Sequence, residues 1–391
     1  MPTSKAKPKV LFVIGHLVQS GAERFTYEVL RAIDRERFDV ALLTKARMTP
    51  ADYYYEKIQA LGIPIHHRLP LWYSRLQRHA RRWFLPLRKP IELVYRLWGR
   101  FMVTPVLEQY DVINCVQIEN YLALQPLLRD NRKVIIYLMA HRFQYQYNPL
   151  DDCLPGRGYR FAIFDPIMRE EWEGTPAAPA EEIHFPLAID LSATRDLSEH
   201  ARLEPPYRIG VFVRLAHDRP LGGVLHAFAK LREKGVDAEL WLYGRGDPSR
   251  FARELDELGI RDRVVFPGHT TSIEKTLRED GLSMVWMTCF SHIIAYASIE
   301  VASFAFPTLF WNQHGKMTPE EIRARTGGAI EGYFDPAALA EATYRALQDA
   351  EGLRERGRRL RAYVLSANEI ANHIRSLEGS IAGVATESSN Q

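Results

Sequence analysis

Arg214 and Arg219 stand five residues apart on one loop, directly after the apolar run Tyr207–Val213. Two guanidiniums so spaced can converge on a pair of phosphates with charge-assisted hydrogen bonds, although a solvated loop has the same composition. Earlier in the chain, Gly15-His16-Leu17-Val18-Gln19-Ser20-Gly21-Ala22-Glu23-Arg24 joins an apolar run to a helical pattern. A glycine such as Gly21 lets the N–H groups of a helix start approach an anion. The loop lacks both the Gly-Lys-Ser/Thr ending of a P-loop and the Gly-x-Gly-x-x-Gly spacing, so spacing alone leaves a plain strand-to-helix turn open. His141 closes the run Val134–Ala140, where an imidazole can exchange a proton at a reacting centre or simply cap a strand. Glu300 is expected to open a small-residue helix, Ala297–Ala305. A carboxylate there is poor core material and needs a hydrogen-bonding partner; a ribose diol and a structural ion pair both qualify.

These residues need elements to hold them. At 391 residues the chain exceeds the size at which one core keeps growing, so two domains are expected. Val10–Gly15, Phe38–Thr44, Asp111–Val116 and Val134–Ala140 read as strands, and Glu23–Ile33 has helical periodicity. The alternation restarts after the polar stretch Asp190–Pro206. Strands are expected at Tyr207–Val213, Ala238–Tyr243, Val264–Phe266, Met284–Thr288 and Thr308–Trp311. Helices are expected over Leu221–Gly235, Arg250–Leu258, Pro336–Ala350 and Gly352–Tyr363. Each half therefore reads as a doubly wound parallel α/β sheet with helices on both faces. The divisions expected are 1–188, 189–365 and 366–391, the last a helix crossing back to the first domain and a tail that loses order after Val384. Ligands of such sheets bind at the carboxyl ends of the strands, which is where the residues above are placed.

Composition excludes several classes. The hydrophobic share of 46% and charged share of 25% are those of an ordinary globular protein. Three scattered cysteines, Cys115, Cys153 and Cys289, form no disulfide framework and no CxxC zinc pair, which fits a reducing, cytoplasmic setting. No signal peptide is expected at the polar, basic start. Gly281–Ile299 carries no formal charge and is long enough to span a bilayer, but it reads better as strand, loop and helix, since Glu300 and Pro307 would be costly in lipid.

In order and spacing these signals resemble retaining glycosyltransferases of the GT-B fold, most closely glycosyltransferase family 4, over nearly the whole chain except about 45–110. Ser20-Gly21-Ala22-Glu23-Arg24 is similar to that family's Gly-Gly-x-Glu-Arg loop. Arg214 to Arg219 is similar to its Gly-Arg-Leu-x-x-x-Lys loop, and Leu240-Trp241-Leu242-Tyr243-Gly244-Arg245-Gly246 to its Leu-x-Gly-x-Gly segment. Gly327-Gly328-Ala329-Ile330 with Asp335-Pro336 matches its late turn and helix, and His141 falls at its active-site histidine. The resemblance implies two Rossmann-like domains facing a cleft, and transfer of a sugar with retention from a UDP- or GDP-linked donor to a glycan or lipid-linked acceptor. It implies catalytic roles for His141, Arg214 and Arg219, and donor contacts from Gly21, Arg214, Arg219, His292 and Glu300. One position departs: in the family's Glu-x7-Glu pair Glu300 fits the second place, but His292 stands in the first, where a carboxylate contacts the donor sugar, and Ala295 replaces a glycine. The ribose and phosphate side is thus expected to be intact and the sugar side altered. A catalytically impaired nucleotide-binding scaffold, or a nucleotide-sugar hydrolase or epimerase, is the alternative. No Asp-x-Asp occurs, so neither a metal nor another cofactor is expected.

The stretch His66–Arg100 holds nine Arg and Lys against Glu92 alone, and three of the seven tryptophans, so the net charge of +3 arises from it. Arginine mixed with Trp and Leu suits an anionic lipid surface. Trp72, Arg78, Arg82 and Trp83 are the residues expected to meet acceptor or membrane, in a protein peripheral to the inner membrane face. Nucleic acid is not expected, since no RNA-binding pattern accompanies the charge; an amphipathic helix pair folded onto the first domain remains open.

Overall fold

The computed structural model describes residues 6–70, 72–73, 88–140, 148–215, 221–313 and 317–389. The chain divides into two compact units, Met1–Ile189 with Ile370–Gln391, and Asp190–Glu369.

In the first unit Val10 to Val13 are fully buried, as are all five residues from Val112 to Val116. Strands apolar throughout must be covered on both faces, the condition of a parallel sheet. The strands are β1 (Lys9–Val13), β2 (Asp39–Lys45), β3 (Ile65–Leu69), β4 (Val112–Val116), β5 (Val134–Tyr137), β6 (Arg160–Ile163) and β7 (Glu181–His184). They are parallel throughout, in the order β3-β2-β1-β4-β5-β6-β7. The order reverses between β1 and β4, so the loops after these two strands diverge to opposite faces and leave a crevice.

Two expectations change here. Residues 65–69 of the basic stretch are an edge strand, with Leu42 opposite Ile65. The helix Ile370–Ser389 continues past Val384. Leu377, Ile381, Val384 and Ala385 are buried at helical spacing. Glu378 accepts the Asp34 N–H at 2.8 Å and Arg37 Nη1 at 2.6 Å, and Glu387 pairs with Arg160. The final helix is thereby part of the first unit.

The second unit contains β8 (Tyr207–Phe212), β9 (Ala238–Tyr243), β10 (Val264–Gly268), β11 (Met284–Phe290), β12 (Ile293–Ile294), β13 (Thr308–Asn312) and β14 (Gly332–Tyr333). Its order is β10-β9-β8-β11-β13-β14, with β12 folded back antiparallel on β11. The uncharged stretch 281–299 is accounted for by β11, its turn and the start of a helix. Among the described residues no helix is long and apolar enough to cross a membrane. Gly357, on the helix Ala350–Asn368, lies against the turn at Ala305, whose carbonyl oxygen a Cβ would meet at 2.0 Å. Beside it Arg361 donates to the Ser303 and Thr194 carbonyls at 2.8 and 3.0 Å.

Candidate functional site

In the second unit the order reverses between β8 and β11, whose pairing places Met284 opposite Ile209. The loops after these two strands flank the switch point, and they carry Arg214 on one side and His292 on the other. Arg214 is exposed, two residues past the end of β8. Its backbone is fixed from the next strand. Val213 N–H donates to the Tyr243 carbonyl at 2.9 Å and Leu215 N–H to the Arg245 carbonyl at 2.8 Å, so parallel pairing continues beyond both strands. That approach requires glycine. A Cβ on Gly244 would stand 1.8 Å from the Val213 carbonyl oxygen, and one on Gly246 would stand 2.1 Å from that of Leu215. The Gly-x-Gly spacing therefore seats the arginine loop. It also brings Arg245 to the same strand ends, next to His269, whose imidazole burial and Arg245 together hold below its usual range and so neutral at pH 7. The helix Gly222–Glu233 follows, and the first-turn N–H groups of a helix have no partner within it, giving this end an affinity for anions.

Across the switch point, β11 and β12 form a hairpin whose register pairs Phe290 with Ile293, leaving Ser291 and His292 as the two turn residues. Ser291 has φ of 53° and is fully buried; its N–H donates to Asn312 Oδ1 at 3.1 Å. A non-glycine residue in the left-handed region needs such support, and the Asn312 carboxamide at the end of β13 provides it. The turn holds His292 in place with 7% exposure. Glu300 does not open its helix. It is the fifth residue of Tyr296–Ser303, half-buried, with Ala295 as the extended residue before the helix. The helix begins early because the hairpin ends at Ile294.

In the first unit Gly21 is the first residue of the helix Gly21–Ala32 and is exposed, at the carboxyl end of β1. The loop before it is held by a residue that sequence reasoning missed. Asp52 accepts the Leu17 N–H at 3.0 Å, the Thr49 N–H at 2.7 Å, the Thr49 hydroxyl at 2.8 Å and Lys45 Nζ at 2.7 Å. Burial pushes this carboxyl up, but the Lys45, Leu17 and Thr49 donors outweigh it and hold it far below the ordinary carboxylate range. Lys45 Nζ also lies 3.3 Å from His16 Nδ1, which opposite an ammonium group is the acceptor. The available signal was a single aspartate before the aromatic run Tyr53-Tyr54-Tyr55. Asn312 and Arg245 were likewise given no role.

Among the remaining expected residues, Trp72 packs edge-on against Tyr95 and Trp98 at 5.6 and 5.8 Å. His141, Arg219, Arg78, Arg82 and Trp83 lie outside the described residues. Arg214, His292 and Glu300 share the second unit, while Gly21 belongs to the first.

Residues 207–349 match the family described as "Glycosyl transferases group 1". No curated protein sequence matches the chain. Among solved structures, sucrose-phosphate synthase from Thermosynechococcus elongatus is similar at 13% identity and TM-score 0.65, over 97% of this chain and 100% of that one. Anabaena HepE, solved in complex with UDP-glucose, is similar at 14% identity and TM-score 0.65, over 97% and 99%. The lipopolysaccharide outer core galactosyltransferase WaaB, in its apo form, is similar at 10% identity and TM-score 0.63, over 96% and 99%. At these identities the likeness establishes the fold, two parallel-sheet α/β units of the GT-B class. Residues 207–349, within the second unit, thus carry the match to group 1 glycosyltransferases, and the chain along its length has the fold of GT-B glycosyltransferases.

Proposed function

We propose that the protein transfers a sugar, with retention and without a metal, from a UDP- or GDP-linked donor to a glycan or lipid-linked acceptor in the assembly of bacterial envelope or surface polysaccharide. The observation that carries this reading is the switch point of the second unit, which sets the Arg214 loop and the His292–Glu300 element on opposite sides of one strand pair. The UDP-glucose in the HepE structure and the galactosyltransferase activity in the name of WaaB support a uridine donor and an envelope setting.

In this reading the Arg214 and Arg219 guanidiniums, with the N-terminal end of helix Gly222–Glu233, stabilise the charge that develops on the departing diphosphate. The bond from the anomeric carbon to the diphosphate oxygen breaks as the acceptor oxygen attacks from the same face. The acceptor proton passes to the departing phosphate, so no protein nucleophile is required. Glu300 holds the ribose. His292 meets the sugar, and the exchange of carboxylate for imidazole changes what it can offer, since an imidazole can donate as well as accept where a carboxylate only accepts. That change favours a donor sugar with a different hydroxyl pattern. It also supports a second reading, a nucleotide-binding scaffold without transfer.

The test is incubation with UDP, GDP, ADP and CMP sugars, following nucleotide release with and without glycan acceptors. Release only with acceptor is the expected outcome. Binding without release in any pairing would establish the scaffold instead, and release without acceptor a hydrolase. Full turnover in excess chelator is expected, and its loss would remove the metal-independent step.

A further inference from the structure

Ten large apolar side chains stand exposed among the described residues, and five of them, Leu93, Val94, Leu97, Phe101 and Met102, fall in one helix, Arg88–Met102. One face of this helix belongs to the core. Tyr95 is fully buried, its ring stacked on Tyr73 at 3.7 Å and its hydroxyl donating to the Ala123 carbonyl at 2.6 Å. One turn on, Gly99 packs so closely that a Cβ would meet the Leu127 side chain at 2.4 Å. At 3.6 residues per turn, Leu93, Leu97 and Phe101 form a single stripe on the opposite side, with Val94 beside it. Their exposures of 60%, 55%, 76% and 62% are those of side chains left largely uncovered among the described residues. Soluble proteins rarely leave so continuous an apolar stripe in water unless it meets something.

The charge along the stripe says what it meets. Lys89, Arg96 and Arg100 share one flank, seven and four residues apart. The sole acid of the helix, Glu92, sits toward the packed side and pairs with Arg96 at 2.5 Å. An apolar stripe with a basic border is complementary to an anionic lipid surface, where acyl chains receive the Leu and Phe side chains and headgroup phosphates receive the cations. A second copy of the chain would bring basic flank against basic flank. At fifteen residues the helix is too short to span a bilayer and suits lying in its interface.

We infer that the Leu93–Leu97–Phe101 face of helix Arg88–Met102 docks the protein on an anionic bilayer, with the helix axis in the interface plane. The helix belongs to the first unit and Arg214, His292 and Glu300 to the second, so vesicle binding and nucleotide release are read by different residues and are expected to fail independently.

Co-sedimentation of the full chain with vesicles of phosphatidylcholine alone, or mixed equally with phosphatidylglycerol, tests it. The wild type is expected to partition onto the mixed vesicles and to be released by high salt. The double variant Leu97→Glu, Phe101→Glu is expected to lower that partition by at least about tenfold, with an unchanged melting temperature because the side chains are exposed. In the Phe101→Trp variant, emission is expected to shift to the blue on addition of mixed vesicles. No partition of the wild type at low salt would overturn the proposal. So would wild-type partition in the double variant, or self-association of the wild type that the double variant abolishes while vesicle binding persists.

Discussion

Gly244 lies so near Val213 that a Cβ on it would come 1.8 Å from the Val213 carbonyl oxygen, and the atom met is backbone, which cannot rotate away. The strand end of β9 and the arginine loop after β8 are therefore one packed unit. Gly244→Ala should displace Arg214 while leaving the sheet formed. Overpacking of this kind costs about 1–3 kcal/mol, part of it lost as anion affinity. Titration calorimetry with UDP and GDP should give weaker binding of the preferred nucleotide by about tenfold, a loss equivalent to about 1.4 kcal/mol. Undiminished affinity in a folded Gly244→Ala protein would separate this loop from the diphosphate.

In the proposed mechanism, Arg214→Ala removes a charge directed at the leaving group rather than at the ground state. Loss of one such donor commonly lowers kcat by about a hundredfold or more. Arg253→Ala, at a side chain that is 90% exposed in the same unit, is the control and should leave turnover unchanged. Equal turnover in both variants would refute the assignment of Arg214.

His292 occupies a two-residue turn braced by Asn312, so its position is fixed by backbone and its chemistry can be exchanged. His292→Glu should alter which sugar is preferred on a given nucleotide, with affinity for the free nucleoside diphosphate unchanged. His292→Ala should depress turnover and spare that same affinity. If both variants keep the wild-type sugar preference and rate, the residue serves the turn alone.

The parallel strands of both units were legible wherever they are apolar on both faces. Val10–Val13 and Val112–Val116 announce themselves because a doubly covered strand has no polar alternation. The strands at the margins did not. β3 reads Ile-His-His-Arg-Leu, and in β6 and β7 the charged pair Arg160 and Glu181 meets across the ladder at 2.8 Å, so polarity that looked like loop is satisfied between neighbours. Of the candidate site, the Gly-x-Gly segment was legible as a motif, and its close backbone approach to the Arg214 loop gives that spacing its physical reason. Asp52 and Asn312 escaped notice because both act on backbone N–H groups, Asp52 on a loop 35 residues away in sequence and Asn312 on one 21 residues away. Glu300 was displaced along its helix because hairpin closure at Ile294, a tertiary event, decides where that helix starts.

Asp52 gives a prediction whose sign follows from its neighbours. Its carboxylate is nearly fully buried, receives hydrogen bonds from the Leu17 and Thr49 N–H groups and the Thr49 hydroxyl, and pairs with Lys45, so its folded pKa lies below the unfolded value of about 3.9. A group shifted downward stabilises the fold at every pH above its unfolded pKa. That contribution shrinks as pH falls toward the folded pKa, because the unfolded chain takes up a proton that the folded one refuses. Asp52→Asn keeps the shape but gives up the charge, and should destabilise the chain by about 1–3 kcal/mol at neutral pH. Urea unfolding of both proteins from neutral pH downward should show a constant gap until about pH 4.5 and a narrowing gap below it. A gap that is constant into the acid range, or that widens there, would mean that the Asp52 charge does not hold the Leu17 loop.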